Sequence, residues 1–288
     1  MDPVTQGALG AVVAQGLAGR RKLAAIACYG AVAGMAPDLD VLIQSPDDPL
    51  LFLEFHRQFT HSLVFIPVGA LLVFLALRVV ANRIKILQGL TTSQAYLACL
   101  MGYATHGLLD SCTSYGTQLF WPFSDARVAW DTMSIVDPLF TIPLLVFVIA
   151  AARTQRQWLS WLACGWMLCF FVLGWLQHER AMQAAAQVAS IRGHEPLRLS
   201  VKPSFANLLV WKAIYEHEDS YYVDAVRVGA QMTWFPGTRV PKLDLARHFP
   251  GLEPDSQQAL DVERFRWFSD DYLSPMENSP RIVDMRYS

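Results

Sequence analysis

The chain has 288 residues, 53% of them hydrophobic and only 17% charged, with a mean hydropathy of +0.27 and a formal net charge of −2. That composition is too apolar for an ordinary soluble domain of this length and makes a bilayer the expected solvent. Within residues 1–178 all ten carboxylates fall at one alternating set of ends of the apolar runs, and eight of the ten Lys and Arg fall at the other.

Six apolar runs follow in chain order, at about 4–19, 23–36, 63–81, 94–110, 138–152 and 158–177. A membrane helix needs roughly 20 such residues to cross a hydrocarbon layer of about 30 Å. The predicted fold class is a membrane all-α bundle of about six transmembrane helices with a small C-terminal extracytoplasmic α+β domain built on an antiparallel sheet. The first two runs are short and rich in Gly and Ala. Their length also suits buried core helices, while their small residues suit a closely paired hairpin in lipid. Asp2 precedes the first run without a basic segment, so this run reads as an anchor with its N-terminus outward rather than a cleavable signal.

Arg20-Arg21-Lys22, Arg78 with Arg83 and Lys85, and Arg153 with Arg156 mark cytoplasmic turns by the positive-inside rule. Asp2, the 37–40 turn, residues 41–62, the 111–137 loop and everything after Gln177 are then extracytoplasmic. The expected domains are a transmembrane helical domain at 1–178, a helical stalk at 179–192 and a β-rich external domain at 193–288. Strand-like runs at 208–215, 221–228 and 281–287 support the last. The five cysteines show no disulfide pattern and read as small packing residues. His178, His194, His217 and His248 have no ligand partner at a helical or turn spacing and read as surface or structural groups.

His106-Gly-Leu-Leu-Asp110 sets an imidazole and a carboxylate one turn apart on one helical face. The pair suits two ligands of one metal or of adjacent metals, or a plain hydrogen bond where two helices meet. Near a span end such a pair is costly unless hydrated, paired or coordinated, which favours a functional role. Pro37-Asp38-Leu39-Asp40 closes the second run with two carboxylates that reach one site if the turn is irregular, or that are simply solvated. In His56-Arg57-Gln58-Phe59-Thr60-His61-Ser62, His61 is the better ligand, and His56 is a second ligand or a proton donor to a leaving group. Arg57 forks onto phosphate oxygens or neutralises a neighbouring Asp, and Arg127 carries the same ambiguity. Asp2, Asp131 and Asp137 complete the acidic face, although Asp137-Pro138 also has the form of a capped helix start. Trp121, Phe123 and Trp130 read as interface anchors. A mixed Asp/His set points to a divalent metal, zinc or manganese rather than magnesium, as one or two ions.

Five ordered motifs, Met1-Asp2-Pro3-Val4-Thr5-Gln6, Pro37-Asp38-Leu39-Asp40, His56 through Ser62, Thr105-His106-Gly-Leu-Leu-Asp110 and Tyr115-Gly-Thr-Gln-Leu-Phe-Trp-Pro-Phe, resemble the YdjM-like, LexA-regulated, membrane-bound metal-dependent hydrolases of bacteria. The resemblance covers roughly residues 1–150 and implies an inner-membrane protein. Many relatives carry His where this chain has Gln6, so an N-terminal imidazole ligand does not carry over, whereas Asp2 does. The order Asp, His, then His-x-x-x-Asp is more distantly similar to the zinc-dependent phospholipase C and single-strand nuclease superfamily.

The resulting expectation is a metal-dependent hydrolase of a phosphoester in a lipid or lipid-linked substrate, acting through a metal-bound hydroxide. Asp38, Asp40, His61, His106 and Asp110 are the expected ligands, Asp2 and Asp137 lesser ones, and Arg57 and His56 the catalytic groups. The bilayer and an amphiphilic substrate are the expected partners, with no nucleic acid. The rivals are a transporter or ion pathway, and a non-catalytic membrane protein with a structural metal site and a partner-binding external domain.

Overall fold

Asp2 opens the first helix, α1 (Pro3–Leu17), by accepting a hydrogen bond from the Thr5 amide, and Pro3 fills the first turn, where a missing N–H is harmless. α1 runs antiparallel to α2 (Leu23–Met35), and α5 (Thr92–Ser111) lies along α2 in the same direction. Glycines set how closely these three meet. A Cβ on Gly102 would come within 2.2 Å of the Gly30 carbonyl oxygen, and one on Gly30 within 2.5 Å of the Gly10 carbonyl oxygen. Backbone therefore packs on backbone, as small residues permit between helices in lipid.

The computed structural model describes residues 1–277 and 279–288. They form two compact units, one of Met1–Ile43 with Phe55–Trp175, the other of Gln44–Glu54 with Leu176–Ser288. In the first unit α2 continues into a tighter helical turn at Ala36–Leu42, which carries Asp38 and Asp40. A short α3 (Leu51–Phe55) leads through a second tight turn at Phe59–His61 to α4 (Ile66–Ala81), the chain bending by 87° between them. α5 starts on a capping box between Thr91 and Gln94. Asp137 caps α6 (Pro138–Thr154), and α7 runs unbroken for 34 residues, Trp158–Ile191, its part from Leu176 onward belonging to the second unit.

Among the described residues, two helical segments are long and apolar enough to cross a membrane, Leu23–Leu42 and α7, or three if the bent pair ending in α4 counts as one span. The expectation of six spans is not supported. The apolar helices are present, but α1 and α6 have 15 and 17 residues. At 1.5 Å per residue they reach only about 22 and 25 Å, short of a hydrocarbon layer of about 30 Å. α5 has 20 residues but dilutes them with Thr, Ser, Gln, His and Asp.

In the second unit β1 (Arg198–Pro203), β2 (Val210–His217), β3 (Ser220–Val228) and β4 (Met232–Pro241) form an antiparallel meander in sequence order. α8 (Leu245–His248), α9 (Gln257–Phe268) and a small pair of β5 (Leu273–Pro275) with β6 (Ile282–Asp284) complete it. Ile214, Tyr221, Tyr272 and Met285 make its core. The register shifts at Asp224, between Val223 and Ala225, and that buried carboxylate accepts two bonds from Arg192 (2.6 and 2.8 Å) and one from the Gly237 amide (2.9 Å).

Candidate metal centre

The backbone contact of α2 with α5 decides the orientation of His106. Its Nδ1 lies 2.5 Å from the Gly34 carbonyl oxygen, which can only accept, so Nδ1 carries the proton and Nε2 offers a lone pair. His61 is set through Thr60, whose hydroxyl donates to Asp40 at 2.8 Å and so is left to accept from His61 Nδ1 at 3.0 Å, with the Asp40 carboxylate 3.2 Å from the same nitrogen. Such an outer hydrogen bond, fixing tautomer and ring direction, is the usual partner of a metal-ligating histidine.

The two Nε2 atoms lie 2.9 Å apart. Asp38 Oδ1 is 3.3 Å from His106 Nε2 and 3.5 Å from His61 Nε2, and Asp110 Oδ2 is 3.6 and 3.3 Å from the same atoms. Four donors 2.0–2.1 Å from a central ion form a tetrahedron with edges of about 3.3–3.4 Å. The measured edges bracket that value, so the cluster of Asp38, His61, His106 and Asp110 could hold a metal ion. The side chains of His61, His106 and Asp110 are fully buried, whereas that of Asp38 is 20% exposed and forms the open corner. A second group, Asp38, Asp40 and His56, shares that corner.

Asp110 Oδ2 is buried with no hydrogen-bond partner, a costly state for a carboxylate oxygen unless something else coordinates it. Its other oxygen accepts from Gln6 Nε2 at 2.9 Å and from the Met1 amine. Arg57 lies alongside, its Nε 3.1 Å from Asp110 Oδ2 but out of line for a hydrogen bond. The guanidinium also donates to Thr113 (3.1 Å) and covers the Tyr115 ring. The backbone of Arg57 sits in the left-handed region at φ 65, held there by its amide on Asp40 and its carbonyl on the Gln118 amide. His56 is anchored by Nδ1 on Asp40 Oδ1 at 2.8 Å.

The family model described as YdjM inner membrane protein matches residues 1–181 of the chain. The chain belongs to that family. The match covers every residue of the metal centre and places this YdjM protein in the membrane, in keeping with its apolar helices. No curated protein and no solved structure matches the chain.

Of the residues predicted from the sequence, Asp38, Asp40, His56, Arg57, His61, His106 and Asp110 come together in this YdjM chain. Asp2 and Asp137 join neither ligand group. Asp2 caps α1, and Asp137 caps α6 by accepting from the amides of Leu139 and Phe140, so the Asp-Pro signature at each site reports a helix start. Asp131 also lies outside both groups. Arg127 is bound to the carbonyl oxygens of Tyr115 and Gly116, and its guanidinium lies over the same Tyr115 ring as that of Arg57.

Sequence reasoning missed four supports: Gly34, whose carbonyl orients His106; Thr60, whose hydroxyl donates to Asp40 at 2.8 Å; Thr113; and the contact of Gln6 with Asp110. Only Gln6 carried a signal, through its place in the N-terminal motif.

Proposed function

We propose that the protein is a membrane-bound metal-dependent hydrolase whose substrate is a phosphoester in an amphiphilic or lipid-linked molecule, with zinc, or else manganese, as one or two ions. The observation that carries this reading is the buried Arg57 guanidinium beside the ligand cluster. A cation packed against a cation-binding cage opposes the ion it holds, unless an anion is also to be stabilised there. Arg57 presents a planar fork suited to phosphoryl oxygens.

In this reading His61, His106, Asp38 and Asp110 hold the ion, and Asp38 shares its exposed corner with the second position at Asp40 and His56. A divalent ion bound there supplies Lewis-acid activation of water and neutralises charge on a phosphoryl oxygen. Asp40 holds the His56 ring through its Nδ1 proton and the His61 ring by way of Thr60. His56, on the less buried side, passes a proton to the leaving group. The acidic motifs alternate with basic turns at 20–22, 78–85 and 153–156, which supports an extracytoplasmic site and external domain in a multi-pass chain.

A second reading, a structural metal site, is favoured by the count of four protein donors, since structural zinc is closed by four ligands whereas catalytic zinc keeps one position for water. One experiment separates the two. Metal content is measured by mass spectrometry on detergent-purified protein, beside hydrolysis of phosphomonoesters, phosphodiesters and phospholipids, for wild type and for His61→Ala, His106→Ala and Asp110→Ala. Turnover by the metal-loaded wild type and its loss in all three variants is expected. Metal without turnover, with chelation only lowering the melting temperature, supports the structural reading, and metal-free protein sinks both.

A further inference from the structure

α7 carries 19 consecutive residues without an acidic or basic side chain, 158–176, the first such side chain being His178. At 1.5 Å per residue that run covers about 28 Å, the depth of a hydrocarbon layer. Trp158 and Trp161 near one end and Trp175 near the other are all more than half exposed, in the positions of interfacial aromatic belts. Gln177 therefore stands at the level where α7 leaves the lipid.

The sheet of the second unit is tied to α7 at that level. Gln177 Nε2 donates to the carbonyl oxygens of Leu208 (2.9 Å) and Val228 (3.0 Å). Arg180 donates to Gln177 Oε1 (2.6 Å) and to the Gly229 carbonyl oxygen. These three carbonyls lie in or at the edge of the two connections at one end of the sheet, β1 to β2 and β3 to β4, Val228 closing β3 and Met232 opening β4. The same connections hold three large apolar side chains away from the core: Phe205 is 75% exposed, Leu209 47% and Met232 41%. No carboxylate occurs in 200–215 or 225–243, and Arg227 is exposed in the register next to Val228.

We propose that these two loop tips insert Phe205, Leu209 and Met232 into the interface of the same bilayer that α7 crosses, with Arg180 and Arg227 at the headgroups. The hydrogen bonds fix the tips beside the helix exit, continuous with the span, and their chemistry is that of an interfacial anchor, apolar with flanking cations. At the far end of the sheet, the turn at Glu218 and Asp219 carries two acids and belongs in water. The proposal needs only that α7 spans the membrane, and is independent of any catalytic reading.

The test uses the full chain in vesicles of phosphatidylcholine and phosphatidylglycerol. The five native cysteines are replaced, and an environment-sensitive fluorophore is placed on single cysteines at Phe205, Leu209, Glu218 and Val172, the last being mid-span. Blue-shifted emission, quenching by spin-labelled lipid and protection from iodide are expected at 205, 209 and 172, and the reverse at 218. Iodide quenching at 205 and 209 equal to that at 218 overturns the proposal. So do protection from both quenchers, which signals a protein partner, and an aqueous signal at 172. The unaltered chain provides a second readout through photoactivatable phosphatidylcholine mapped by mass spectrometry. Adducts at 205, 209 or 232 are expected, and adducts confined to residues 1–176 refute insertion.

Discussion

Asp40 accepts from three groups, His56 Nδ1, the Arg57 amide and Thr60 Oγ1, and lies 3.2 Å from His61 Nδ1, which Thr60 Oγ1 also meets at 3.0 Å. With its lone-pair directions so engaged, it acts chiefly by aiming the two rings. Asp40→Asn should therefore weaken metal binding by roughly 10–100-fold, the usual effect of losing an outer-shell partner, without abolishing it. Chelator competition on the purified protein measures this, and a complete loss would make Asp40 a direct ligand. Gln6→Leu removes a donor from Asp110 and should weaken binding within the same range of about 10–100-fold. At this scale the site was legible wherever a motif names both residue and spacing, as in His106 and Asp110. Spacing says nothing of which carbonyl a ring will meet, so Gly34 was not legible. Asp137 read both as a cap and as a lesser ligand and Asp2 as a lesser ligand; both cap helices and neither joins a ligand group.

Glycines set how closely α1, α2 and α5 meet, beside a core in which Ile26, Tyr29 and Cys99 are buried, so tolerance for volume at those glycines is small. Gly102→Ala, whose Cβ meets the Gly30 carbonyl, should cost about 1–3 kcal/mol, as overpacking does. It should also displace His106 from Gly34, one turn along the same contact. A lowered melting temperature in detergent together with reduced metal content checks both. Gly165→Ala, whose Cβ meets nothing within 4 Å, should change neither. The positions of the apolar helices were legible from hydropathy because runs of Leu, Val and Phe are unambiguous over 15 residues. Their spanning capacity was not, because a bundle can bury a short apolar helix as readily as a bilayer can. β4 escaped notice since Pro236-Gly237 interrupts its pattern, although Ser256 before α9 is a usable cap signal.

At the scale of the whole molecule, the second unit carries a response to acid of its own. Burial opposes ionisation of Asp224, but the Arg192 fork and the Gly237 amide outweigh it and hold the carboxyl below its ordinary value. A depressed carboxylate stabilises the fold above the ordinary aspartate value of about 4, and that contribution is lost as pH falls through the folded value. Asp224→Asn should thus flatten the acid limb of the stability profile followed by tryptophan fluorescence. It should also cost about 3 kcal/mol at neutral pH, since Arg192 loses its buried partner. An unchanged acid limb would show that other groups govern it. The left-handed backbone at Arg57 costs of order 1 kcal/mol that glycine would not incur, but its buried guanidinium is the ion-pair partner of buried Asp110, and removing such a partner costs about 3 kcal/mol or more. Arg57→Gly should therefore lower the melting temperature in detergent: the charge, not the backbone, decides which residue this strained position holds.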